Sequence, residues 1–171
     1  MPPERRYVIR AGTGYDSHRI DSGGRMLLGG VEVAKGMHLV AHSDGDAIAH
    51  ALTDAILGAA AAGDIGEMFP DTDPANRDGN SMDMLVAAVA RVRQRGFVIV
   101  NADVTVITER PKLSPHRDAI RASLAAALQV DPEAVSVKGK SNEGMGWIGR
   151  GEGLACMAVA TIASDISTGA D

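Results

Sequence analysis

Cysteine is almost absent. Cys156 is the only one in 171 residues, so no disulfide can form within the chain and a small disulfide-stapled fold is excluded. Its neighbours are Ala155 and Met157, an apolar setting that suits a buried, inert thiol better than a nucleophile. Aromatic residues make up 3% of the chain against 45% hydrophobic overall, so the core must be built from Ala, Val, Ile, Leu and Met. The alanine runs at 59–62 and 125–127 suit closely packed elements. Positive charge is scarce too: 17 basic residues stand against 22 acidic ones, and no Lys/Arg run exceeds two, which argues against a nucleic-acid groove. No apolar stretch reaches the roughly 18 residues of a membrane helix, and residues 1–6 lack the apolar centre of a signal peptide. A cytoplasmic protein with no membrane partner is expected. The length predicts one domain over 1–171, with an ordered core at about 7–163 and tails at 1–6 and 164–171, large enough to bury about 70% of its unfolded surface.

Residues 7–12 and 26–33 read as strands, the second interrupted by Gly29-Gly30, which marks a tight turn or bulge. Ser43 followed by Asp46 resembles a capping box opening a helix from Asp44 to about Ala62. Ser81 is placed to cap a helix ending at Arg95-Gly96, and Ser114-Pro115 to open another through Leu128. Strands are expected at 98–106, 135–140 and 154–163. Elements alternate without a strict repeat, which predicts an α+β domain with helices on one face of a sheet.

Two polar stretches carry candidate chemistry. In Gly-Tyr-Asp-Ser-His, an extended backbone puts Asp16 and His18 on one face, an oxygen and a nitrogen aimed at one point. Farther on, His42, Asp46, His50 and Asp54 recur every four residues, the spacing of a helical stripe. Asp16, His18 and His50 form the favoured ligand set. One carboxylate and two imidazoles leave an open position on tetrahedral zinc, although manganese, cobalt and iron suit such ligands as well.

Two loops stand out. Residues 63–80 hold more Gly, Pro, Asp and Asn than a regular element tolerates, and so long a loop in a compact domain usually serves a function. Residues 138–153 combine many glycines with Lys138, Lys140, Ser141, Asn142 and Arg150, a composition able to cradle phosphate through backbone N–H groups. The Walker spacing is missing before Lys140-Ser141, so an ATPase is not indicated.

The ordered motifs Gly-Tyr-Asp-Ser-His, Ala-His-Ser-Asp-Gly-Asp-Ala-Ile-Ala-His-Ala-Leu-Thr-Asp, Gly-Asp-Ile-Gly-Glu-Met-Phe-Pro-Asp-Thr-Asp-Pro, Arg-Pro-Lys-Leu and Gly-Arg-Gly-Glu-Gly resemble the 2-C-methyl-D-erythritol 2,4-cyclodiphosphate synthase family of the non-mevalonate isoprenoid pathway. The resemblance runs nearly the whole length. It implies an α/β sandwich with a mixed four-stranded sheet, three copies packing as a homotrimer around the sheet faces, and active sites between neighbours. It also implies zinc at Asp16, His18 and His50, and magnesium or manganese at Glu143 with the substrate phosphates. His42 and Ser141 match the family's transition-state stabilisers. Contacts to a cytidine-diphosphate-linked substrate are implied for Asp16, His18, His42 and Ser43, and for Asp64, Ile65 and Gly66. They extend to Phe69, Pro70, Asp71, Thr72 and Asp73, and to Thr108, Glu109, Arg110, Pro111, Lys112, Leu113 and Ser114. Lys140, Ser141, Asn142, Glu143, Trp147 and Arg150 complete the set. An isoprenoid diphosphate in the trimer's central cavity, near Arg150, is a further implied partner.

The chain departs from that pattern in places. Lys140-Ser141-Asn142 replaces a run of threonines, adding a cation while keeping the central hydroxyl, and Trp147 stands where phenylalanine is common. Two rival readings remain open on sequence alone: a metal-dependent phosphoesterase using metal-bound water, and a trimeric nucleotide- or isoprenoid-diphosphate-binding protein without turnover.

Overall fold

The computed structural model describes residues 6–70, 72–76 and 79–165; Asp71, one of the expected substrate contacts, falls outside them. β1 (Tyr7–Leu28) and β2 (Val31–Leu39) form a hairpin, followed by α1 (Ala47–Ala59), the short α2 (Ile65–Met68) and α3 (Ser81–Gln94). Then come β3 (Val98–Ile107), α4 (Arg117–Leu128), β4 (Val135–Lys140), the one-turn α5 (Gly146–Gly149) and β5 (Gly153–Asp165). The sheet order is β2-β1-β5-β3-β4, with β3 and β4 parallel and the other pairs antiparallel. The α+β architecture and mixed sheet are therefore present, but the sheet has five strands, not the four expected.

The fifth strand is β2, paired along the second half of a β1 much longer than the 7–12 expected. The first part of β1 pairs with β5 from Tyr7 to Arg19, and its second part pairs with β2 from Ile20 to Leu28. Gly29-Gly30 makes the tight turn expected of it, while β1 takes up the glycines at 23 and 24 as a register shift after Ser22, with a second shift after Met26. Gly29 and Gly30 form that turn with φ of 59° and 75°, the left-handed conformations a tight hairpin requires. Asp16 consequently lies well inside β1 rather than just past a strand end. At the other end of the sheet, β5 continues past the expected core limit at 163 through Ser164 and Asp165, which pair with Val8 and Tyr7.

A single buried carboxylate joins the hairpin to the helix layer. Asp46 accepts the turn amides of Gly29 at 2.8 Å and Gly30 at 2.6 Å, and also caps α1 through the Ile48 and Ala49 amides, both at 3.1 Å. The capping residue is therefore Asp46, three positions beyond Ser43: its Oδ1 serves the cap and the turn at once, while Oδ2 takes the Gly30 amide. Asn80, not Ser81, caps α3 by accepting from Met82 and Asp83. Pro115 does not open α4. It sits in a turn closed by the His116 amide on Leu113 O at 2.9 Å, and the helix begins at Arg117.

Residue alternation on the strands separates two faces. On the inner face, α1 lies against β1 and β5, and α3 lies against α1. Contact is closest at Gly12 and Gly14: a Cβ on Gly14 would stand 1.8 Å from the Ala51 carbonyl oxygen, and one on Gly12 would stand 2.1 Å from that of Ala55. Glycine there lets the helix backbone rest directly on the strand. Asp16 and His18 follow on the same face by period two. The outer face leaves Tyr7, Ile9, Tyr15, Val98, Val100, Met157 and Val159 exposed.

Candidate metal centre

Three of the predicted ligands meet at the edge of the α1–β1 contact. Asp16 and His18 project from β1, and the close seating of α1 brings His50, in its first turn, opposite them. Asp16 Oδ2 stands 2.8 Å from His18 Nε2 and 3.2 Å from His50 Nδ1, and the two nitrogens are 3.3 Å apart. Ligand atoms bound tetrahedrally to zinc at about 2.0–2.1 Å would be about 3.3 Å apart, so this triangle already matches a shared ion. Asp16, His18 and His50 are the group of such side chains close enough to hold a metal among the described residues.

The electrostatics suit a cation. Burial pushes the Asp16 pKa up, but hydrogen bonds to His18 and His50 and their charges outweigh it, holding the carboxyl well below the ordinary range. Burial works to lower the His18 pKa, yet the hydrogen bond and charge of Asp16 prevail and raise it above 6.5. His18 Nδ1 contacts the Val40 carbonyl at 3.1 Å, an arrangement that leaves Nε2 for the metal once Nδ1 carries the proton.

The fourfold recurrence His42, Asp46, His50, Asp54 is not one stripe of ligands. His42 lies outside the helix, Asp46 caps it, and Asp54 accepts the Ile65 amide at 2.8 Å, tying α2 to α1. The segment at 63–80 is also less irregular than its composition suggested, since α2 and a 3₁₀ turn at Pro74–Asn76 occupy part of it.

A cavity of about 450 Å³ opens beside the triangle, lined by His18, His42, Ser43, His50, Ile65, Gly66 and Phe69 among others. A second cleft of about 320 Å³ is lined by Thr108, Glu109, Pro111, Lys112, Leu113 and Ser114, with Arg117, Gly139, Lys140 and Ser141. Among the described residues the two share no lining residue. Behind the second cleft, the Glu109 carboxylate accepts the amides of Asn142 at 2.9 Å and Gly144 at 3.3 Å, fixing the loop on which Ser141 donates to Glu143 at 2.6 Å. A third recess holds Arg110 and Arg150 with Ile20 and Met37, and Trp147 packs over Gly153. Many of the predicted residues thus line three recesses of the one chain, with Glu109 shared by the last two.

Sequence reasoning missed Asp44 and Ser81. Ser81 Oγ lies 2.8 Å from His50 Nε2 and donates to Asp44 Oδ1, while the Ser81 amide reaches the other Asp44 oxygen at 3.1 Å. Asp44 lies within a quoted motif, but nothing local to Ser81 signals a partner 37 positions away.

The fold and the triangle define a small α+β domain with an Asp-His-His cluster able to hold a divalent metal beside an open cavity. A protein-family model for the YgbB family matches residues 9–163. A 2-C-methyl-D-erythritol 2,4-cyclodiphosphate synthase of Gemmatimonas aurantiaca is 57% identical over 155 residues, covering 91% of this chain and 93% of that one. Among solved structures, the bifunctional IspDF from Campylobacter jejuni superposes with a TM-score of 0.90 at 42% identity, over 93% of this chain and 43% of that longer one. A CDP complex of IspF from Plasmodium falciparum gives 0.81 at 35% identity, over 91% and 96% of the two chains. The chain belongs to the YgbB family, that of the 2-C-methyl-D-erythritol 2,4-cyclodiphosphate synthases.

Proposed function

We propose that this enzyme converts 4-diphosphocytidyl-2-C-methyl-D-erythritol 2-phosphate into 2-C-methyl-D-erythritol 2,4-cyclodiphosphate and CMP, as a phosphorus–oxygen lyase of isoprenoid precursor synthesis. The observation that carries this reading is the Asp16–His18–His50 triangle opening into the cavity beside His42 and Ser43. A 2-phosphate oxygen bonds to the β-phosphorus, the bond from that phosphorus to the bridging oxygen breaks, and CMP leaves with the electron pair. Zinc at the triangle and magnesium or manganese at Glu143, when bound, neutralise phosphate charge and hold the reacting groups in line. His42 and Ser141 donate hydrogen bonds to the developing phosphoryl charge, a contribution of about 3 kcal/mol for one such donor. Lys112 holds the diphosphate, and Lys140 adds a cation beside it. Residues 64–66, 69–73 and 108–114 enclose the substrate, with Trp147 at the pocket floor.

The working unit in this proposal is a homotrimer. The exposed apolar side of the sheet, formed by Tyr15, Met157, Val159, Val98 and Val100, supplies the packing surface. The separation of the metal-side cavity from the Lys112 cleft supports an active site completed by a neighbouring copy. An isoprenoid diphosphate in the central cavity would have Arg150 as its anion contact, in competition with Glu152, which accepts from Arg150 Nε at 2.6 Å.

Mixing two inactive variants tests the reaction and the shared site together. His50→Ala and Lys112→Ala lesions lie on opposite sides of the proposed interface, so co-refolded mixtures regain CMP release while neither variant turns over alone. Mixtures that stay inactive, despite forming trimers, would reject the intersubunit site; release of CDP or inorganic phosphate by the wild type would reject cyclisation.

A further inference from the structure

We infer that Asp44 and Ser81 form a hydrogen-bond relay that fixes which nitrogen His50 presents to the metal, making both positioning residues of this centre. The inference rests on the proposed metal site and concerns groups behind it.

The direction of the relay follows from what each atom can do. A carboxylate only accepts, so the Ser81 hydroxyl proton points at Asp44. The Ser81 amide reaches the second Asp44 oxygen at 3.1 Å and the Asp46 amide reaches the first at 3.2 Å, so the carboxylate is held from two sides. With its proton committed, Ser81 Oγ offers a lone pair to His50 Nε2 at 2.8 Å. Nε2 must then carry the imidazole proton, which leaves the lone pair on Nδ1, the atom 3.2 Å from Asp16 Oδ2. Ser43 Oγ, 3.1 Å from His50 Nε2 and 3.3 Å from Ser81 Oγ, reinforces the same acceptor pole.

Ser81 is fully buried, so water does not readily replace its hydroxyl. The two histidines thus face the metal through opposite nitrogens, each set by a different acceptor. Backbone serves His18 through Val40 O, and a side-chain pair from the loop before α1 and the start of α3 serves His50. The relay also explains why Ser81 is not the cap of α3: its hydroxyl is engaged elsewhere.

The test is zinc affinity by competition with a chromophoric chelator, with melting temperatures of the metal-free proteins and ¹⁵N NMR of the zinc-loaded wild type. Ser81→Ala is expected to bind zinc about 10–100-fold more weakly while its metal-free melting temperature falls by only a few degrees, Asp44→Asn to lose less affinity, and Ser81→Thr to recover most of it. In the zinc-loaded wild type, His50 Nδ1 should be metal-bound and Nε2 should carry a slowly exchanging proton. Wild-type zinc affinity in Ser81→Ala, or the reverse nitrogen assignment, overturns the relay while leaving the metal site standing. Failure of the wild type itself to bind zinc overturns both.

Discussion

Adding one methyl group at Gly14 should damage the metal centre without touching a ligand. A Cβ there would stand 1.8 Å from Ala51 O and 2.9 Å from Ala55 N, so α1 must retreat by about 1.6 Å to restore an ordinary 3.4 Å contact. The clash is with helix backbone, and no rotamer change relieves it. His50 precedes Ala51 in the same helix and would move with it, opening its 3.2 Å approach to Asp16. Overpacking of this kind costs about 1–3 kcal/mol, which for a domain of this size lowers the melting temperature by about 3–10 °C. A misplacement on the order of 1 Å costs about 100-fold in turnover. Gly58→Ala is the matched control: it lies in the same helix, with nothing within 4 Å of the added methyl, and should raise the melting temperature slightly because alanine is the better helix former. Thermal unfolding and chelator competition on both variants decide the matter. A Gly14→Ala protein with wild-type melting temperature and zinc affinity would refute the proposed dependence of ligand geometry on the helix–strand contact.

Other consequences can be checked with the same material. His50→Ala should hold less metal per subunit; full retention would remove His50 from the ligand set. Because His18 is raised above 6.5 by Asp16, a proton competes with metal at this pair, so zinc affinity should climb as pH rises through that raised value and then level off. The stability of the metal-free protein should run the other way: the contribution of protonated His18 is complete below the unfolded value and is lost as pH rises through the folded one. Chelator-treated protein should therefore melt lower at about pH 8 than at about pH 6 to a greater extent than His18→Gln; identical profiles would contradict the assignment. Burial, followed by the charges of Asp46 and Asp16, raises the Cys156 thiol well above its ordinary pKa. It should therefore resist a thiol reagent until the protein is denatured, and rapid native labelling would contradict its burial.

The parts of the site written in short-range pattern were legible from sequence. Asp16 and His18 needed only the alternation of an extended chain, and the order of strands and helices followed the hydrophobic periods. Decisions made by competition between partners were harder to read. Ser43, Ser81 and Ser114 each carry a good capping signal, yet Asp46 and Asn80 take the caps because Asp46 also clasps the hairpin turn and Ser81 is drawn to Asp44. No side chain caps α4. The four-stranded count comes with the family resemblance and not with any local pattern; Gly29-Gly30 does make the tight turn its sequence indicates, while nothing local shows that β1 runs unbroken from Tyr7 to Leu28. The Ser81–His50 contact joins residues 31 positions apart, beyond the reach of any local pattern.

The most direct test of the central claim is a ³¹P NMR time course of the purified protein with 4-diphosphocytidyl-2-C-methyl-D-erythritol 2-phosphate and magnesium, before and after chelation. Metal-assisted cyclisation predicts matched growth of a cyclic diphosphate and CMP that chelator abolishes and zinc with magnesium restores. Unchanged substrate in the presence of bound metal, or CMP formation indifferent to chelation, would contradict it.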